Sequence, residues 1–158
     1  MPSFATSSLT AALSAERSAL LGFIALLERE QAALMENRGD ALPELSEQKT
    51  TNALKLSQLA ESRRKLLPQN SPQQNTETTT SWLRAHSHDG LPLWLDIVAL
   101  SQRAKQLNQV NGELIQMKLR RNQQALTVLG NAVNKAGVYS RNGQPDFSPG
   151  SGRSLGSG

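Results

Sequence analysis

Leucine recurs every seven residues at Leu13, Leu20, Leu27 and Leu34, and Ile24 fills the seam position four after Leu20. A heptad of that kind lines one face of an α-helix and cannot line one face of a strand, where side chains alternate with a period of two. The spacing predicts an amphipathic helix over 8–37, about 45 Å long at 1.5 Å per residue. Such a length points to a bundle or coiled coil. Gly22 either permits a close helix approach or is tolerated at up to about 1 kcal/mol against alanine. Asn37-Arg38-Gly39 supplies a stop, with Gly39 expected in the left-handed conformation; Asp40 is then the expected N-cap of a second helix, with Pro43 in its first turn.

That second helix, 41–67, repeats a seam as Leu42, Leu45, Lys49, Asn52, Leu56, Leu59, Arg63 and Leu66, spaced alternately three and four. The short turn predicts an antiparallel αα-hairpin, with Lys49 and Arg63 snorkelling at its edges. Pro68 to Asn75 reads as a loop, and 76–86 as a short helix whose Trp82 packs on the hairpin end. Pro92 then opens a third helix expected over 92–136. Its first seam is Ile97, Leu100, Ala104, Leu107, Asn111, Leu114, Lys118, Arg121, Ala125 and Val128, while Leu119, Leu126, Leu129 and Val133 form a competing stripe. Two accounts of the drift stand: a separate face for a partner, or a bend or break near Asn111-Gly112.

The predicted fold is therefore all-α: an antiparallel hairpin plus a long third helix, an elongated helical bundle or coiled coil, with a flexible C-terminal tail. Residues 1–136 form the helical domain. The tail, 137–158, is rich in glycine, serine and proline and has too little apolar surface to offset its ordering entropy, with Tyr139 and Phe147 as isolated aromatics. Composition agrees, since 37% of residues are hydrophobic but only 4% aromatic, which favours long helices over a thick core. No cysteine is present, so no disulfide or thiolate chemistry is expected. The opening residues lack a signal-like pattern and no apolar run is expected to span a bilayer; the cytoplasm is the expected location.

The net charge of +4 is unevenly spread. Eight Lys/Arg balance eight Asp/Glu over 1–67, whereas over 93–136 six bases (Arg103, Lys105, Lys118, Arg120, Arg121, Lys135) face only Asp96 and Glu113. A solvated basic face is the plain account; a phosphate or an acidic protein surface is the other, with Lys118, Arg120 and Arg121 the residues for nucleic acid. His86, His88 and Asp89 share one loop with no second ligand cluster, so no metal or cofactor is expected. The carboxylates look scattered along solvated faces and no nucleophile, base and orienter assemble, so no catalytic residue is assigned and the chain is expected not to be an enzyme.

Three stretches together resemble the FlgN family of flagellar type III export chaperones. Glu30-Gln31-Ala32-Ala33-Leu34 with Asp40, Leu42, Leu45 and Lys49 is similar to the family's N-terminal pattern. Leu107 to Ile115 (LNQVNGELI) with Asn122-Gln123-Gln124-Ala125-Leu126 resembles its most recognisable block, and Val138 to Gln144 resembles its tyrosine, glycine and glutamine ending. The resemblance implies a cytoplasmic chaperone that binds the C-terminal amphipathic helices of the hook–filament junction proteins, prevents early assembly and delivers them to the flagellar export gate. On that footing the expected client-binding residues are Asn111, Leu114, Ile115, Leu119, Asn122, Gln123, Leu126 and Leu129, with Tyr139 and Gly143 at the export gate. No nucleic acid and no membrane insertion are expected, and homo-oligomers are expected only without client. The alternative is a self-associating coiled-coil adaptor without a secretion client.

Overall fold

The computed structural model describes residues 4–68 and 75–143, with side chains through 137. Helix α1 is Phe4–Met35, a 3₁₀ turn covers Gly39–Ala41, α2 is Leu42–Leu66, α3 is Thr76–His86 and α4 is Gly90–Gly143. No strand occurs among the described residues. Contacts divide the chain into a compact unit that ends at Ile115 and a second that begins at Gln116.

In the first unit the leucine heptad does what its spacing predicts: Leu13, Leu20, Leu27 and Leu34 are all buried. A second line of the same helix, Leu9, Glu16, Phe23 and Glu30, also recurs every seven residues and also faces inward, with Leu9, Glu16 and Glu30 buried and Phe23 half-buried. Two acids therefore occupy core positions. Glu16 pairs with Arg63, and Glu30 accepts from Lys49 Nζ at 3.1 Å. Glu16 to Glu30 on α1 and Arg63 back to Lys49 on α2 each cover two heptads, so the pairs define an antiparallel hairpin. This corrects two expectations. Lys49 and Arg63 do not snorkel at the edges, and the carboxylates are not all on solvated faces.

The turn between α1 and α2 also differs from its expected form. Asn37, not Gly39, takes the left-handed conformation, with φ of 57°, and no described glycine has a positive φ. The Arg38 N–H donates to the Ala33 carbonyl at 2.8 Å, the six-to-one bond that closes a helix when the residue before the donor is left-handed. Gly39 and Asp40 then form the 3₁₀ turn, so Asp40 is not the N-cap of α2; Ala41 holds that place and Pro43 lies in the first turn as expected.

Helix α3 closes the open end of the hairpin. Asn75 and Thr78 form a reciprocal capping box at its start, with Thr78 N–H donating to Asn75 Oδ1 at 2.9 Å and Asn75 N–H to Thr78 Oγ1 at 3.0 Å. Leu83 of α3 joins Leu9, Leu13, Leu20, Leu67, Trp94 and Ile97 in the largest core cluster, and Trp82 packs against it. Trp94 is the anchor that periodicity did not single out: its Nε1–H donates to Thr80 Oγ1 at 3.0 Å, and the Arg63 guanidinium lies 4.8 Å over its ring. The α3–α4 link needs Gly90, because a Cβ there would meet Ser87 Oγ at 2.8 Å and Leu83 Cδ2 at 3.2 Å. Ser87 Oγ accepts from the Gly90 N–H, so α4 starts two residues before Pro92.

By length and composition α1 is apolar enough to cross a bilayer, contrary to the sequence expectation. Its buried leucines are nonetheless the floor of this bundle, and its two inward carboxylates are paired to α2. Gly22 and Gly112 both face open space, so neither marks a close helix approach.

Candidate functional site

Helix α4 enters the first unit as a core helix. Ile97 packs with Leu13 and Leu20, and Ala104 packs with Ile24 and Leu27, while Leu100 and Leu107 lie half-buried beside them. Surface pairs Arg17–Asp96 at 3.1 Å and Glu28–Arg103 at 2.9 Å run in the same chain direction, so α1 and this part of α4 are parallel. Exposed pairs of this kind contribute roughly 0–1 kcal/mol each, so the apolar contacts hold α4 in place.

The last inward position of that seam is polar. Asn111 is 0% exposed, and its Nδ2 donates to the Leu27 carbonyl and to Glu30 Oε1, both at 2.9 Å. Glu30, Lys49 and Asn111 thus form one layer across three helices. Asn111 Oδ1 has no hydrogen-bond partner among the described residues. The expectation that Asn111 sets register with a client is corrected: its amide is committed inside the bundle, 84 residues from the carbonyl it serves. The helix is unbroken through Asn111-Gly112, so a break there is not the account of the drifting stripe.

In the second unit the chemistry of the helix changes. Every described residue from Leu119 to Gly137 is exposed. Leu119, Leu126, Leu129 and Val133 are 55–66% exposed, and with Asn122 they advance by three and four along one face. In sequence the same heptad takes in Ile115, the last residue of the first unit, at 37% exposure, while Leu114 is half-buried. Gln123 borders the stripe. Val133 belongs to it by spacing and was absent from the expected site residues; extending the heptad four residues beyond Leu129 finds it. The helix continues through Gly137, where it was expected to stop, to Gly143. Of 138–143, which includes Tyr139, only the helical backbone is described, and Phe147 lies outside the described residues.

Elsewhere the first unit has a cleft of about 610 Å³ above Leu20 and Phe23, walled by α2 and α4. At its charged end Glu16 Oε1 pairs with Arg63, while Glu16 Oε2 is buried without a hydrogen-bond partner among the described residues. His86 stacks on Trp82 with centroids 4.7 Å apart, and His88 and Asp89 are exposed. Among the described residues no group of three or more His, Asp or Glu side chains could hold a metal ion.

These features define a class: an all-α protein in which, among the described residues, the last long helix carries an exposed apolar stripe. The chain belongs to the FlgN family, whose model, described as FlgN protein, matches residues 1–146. Over 117 residues it is 31% identical to the flagella synthesis protein FlgN of Escherichia coli strain K12, covering 74% of this chain and 73% of that protein. No solved structure matches it.

Proposed function

We propose that this protein is a cytoplasmic export chaperone in flagellum assembly. On this reading the stripe of α4 binds the amphipathic C-terminal helices of the hook–filament junction proteins, holds them back from early assembly and yields them to the type III export gate. Family membership supports the flagellar role. The observation that carries the binding mode is the row Leu119, Leu126, Leu129 and Val133, exposed on one helical face with a polar residue, Asn122, in its midst. Burying what four such side chains still expose offers roughly 4–7 kcal/mol from this side, before the client's own burial and the losses of association. An amphipathic client helix left bare is an aggregation hazard, and covering its stripe removes it. The reading needs no catalysis and no cofactor, and it reserves Tyr139 and Gly143 for the gate.

The test is sedimentation of the full chain with and without a junction-protein C-terminal peptide. Wild type should form a 1:1 complex, and L119D/L126D should weaken it by at least ~100-fold while keeping its helical signal, because both leucines are exposed. Unchanged affinity in the double variant would remove the stripe from the binding site. A stable homodimer that excludes the peptide would replace this reading with the self-associating adaptor. Tyr139→Ala should leave peptide capture intact and reduce secretion.

A further inference from the structure

The cleft above Leu20 and Phe23 lies wholly within the first unit, away from the stripe. Its α4 wall includes Trp94, Val98, Ser101 and Lys105, which advance by four, three and four, and its α2 wall includes Ala53, Ser57 and Ala60, which advance by four and three. Both walls thus follow the rhythm with which one helix packs on another. Ala53, Ser57 and Ser101 are small and exposed, so the cleft is open between its walls and has room for large side chains. From Trp94 to Lys105 it runs about 16 Å, three turns of helix.

The two ends of the cleft are unlike. At one, Glu16 is 5% exposed and pairs through Oε1 with Arg63, while its Oε2 is buried with no hydrogen-bond partner among the described residues. Those two charges already cancel, so a neutral donor suits Oε2 better than a further buried cation. At the other end Lys105, the third charged residue of the lining, is exposed, and no carboxylate among the described residues meets it.

We propose that this cleft is a second docking site, taking one face of an amphipathic helix from another protein. That face carries a neutral N–H or O–H donor near Glu16, a carboxylate about three turns away near Lys105, and large apolar side chains between them. The ends exclude two other occupants. A fatty acid would offer Lys105 a carboxylate but bring no donor to Glu16. The exposed stripe of a second copy would bring no carboxylate to Lys105, since no acidic residue occurs between Glu113 and Gly137. Apolar contact with Leu20, Phe23 and the small wall residues supplies the affinity, and the two polar ends set which helix is accepted and in which direction it lies.

The experiment titrates the full chain with a lactam-bridged synthetic helix of ~18 residues that has a leucine seam, Gln at one end and Glu about three turns later. It should bind 1:1, and placing Leu for that Gln or Lys for that Glu should weaken it by at least ~10-fold. S57W/S101W fills the cleft from two exposed positions; it should keep the helical circular dichroism of wild type and lose at least ~100-fold in affinity. S101W alone carries this arm if the double variant unfolds. K105E should reverse the preference between the Glu and Lys peptides. L119D/L126D should bind the peptide as wild type does, even where it loses a junction-protein peptide, so this site and the stripe can fail separately. Binding of no peptide, unchanged affinity in the tryptophan variants, an unaltered preference in K105E, or loss of binding in L119D/L126D would overturn the proposal. So would tighter binding of palmitate than of the peptide in the same cleft.

Discussion

Asn111 and Asn122 both sit in apolar seams of α4, eleven residues apart, and they live in opposite surroundings. Asn111 is fully buried and serves two acceptors on α1, one of them the carboxylate that also holds Lys49 of α2. Asn122 is exposed, flanked along its face by Leu119 and Leu126. Upstream, the helix has found its partners within the chain; downstream, among the described residues, it presents the same kind of pattern exposed. An amide in a seam lowers the gain from burial and restricts which partner fits. In the first unit that restriction is already spent on α1. In the second unit it is still available to select a partner.

The largest contrast should appear between leucines. Leu13→Ala, at a fully buried site, should destabilise the protein by about 2–5 kcal/mol, and Leu126→Ala by less than about 0.5 kcal/mol in chemical denaturation. Equal effects would mean that the stripe is already covered in the free protein. Next comes the polar layer. Glu30→Ala strips the acceptor from Lys49 and from buried Asn111 and should lower stability by about 2–4 kcal/mol. The triple change E30M/K49M/N111L should recover most of that loss, since replacing a whole buried polar set is far milder than orphaning part of it. A neutral E30A would break the contrast between the two halves of α4. The smallest expected difference separates the two asparagines themselves. Asn111→Leu should lose about 1–2 kcal/mol, whereas Asn122→Leu should change stability by no more than about 0.5 kcal/mol. The latter should instead raise self-association in sedimentation at high protein concentration, because it turns a selective seam into a uniform one.

The helices and the hairpin were legible because heptads report one face of a helix directly. All the seam positions named for α2 face inward to some degree except Leu66, which is 39% exposed. The polar layers were half legible. Lys49 and Arg63 stood out in the seam of α2, but their acids are recognisable only when Leu9, Glu16, Phe23 and Glu30 are read as a second heptad line and the two lines are set side by side. Trp94 escaped because Leu91, Leu93, Leu95 and Ile97 crowd around it, and local spacing does not rank neighbours in an apolar run. The left-handed residue was misplaced by two because glycine is the commoner choice, while the closing Arg38–Ala33 bond selects Asn37. At the site, periodicity found the exposed stripe and could not tell that Asn111 was taken. That depends on Leu27 and Glu30, more than eighty residues earlier in the chain.

A leucine heptad is degenerate: two such helices can slip by seven residues and still set apolar side chains against each other. In this hairpin a one-heptad slip in one direction would face Glu16 with Leu56 and Glu30 with Leu42, and the opposite slip would face Glu30 with Leu56 and Arg63 with Phe23. A slip of two heptads would restore neither pair, setting only Glu30 against Arg63 or Glu16 against Lys49 and stranding the other two charges. Each mismatch strands a charge in a largely dry layer, at about 3–5 kcal/mol per broken pair. Glu16–Arg63 and Glu30–Lys49 therefore act as two teeth of a key, rejecting alignments that leucine alone would accept, and every position along the hairpin inherits its neighbours from them.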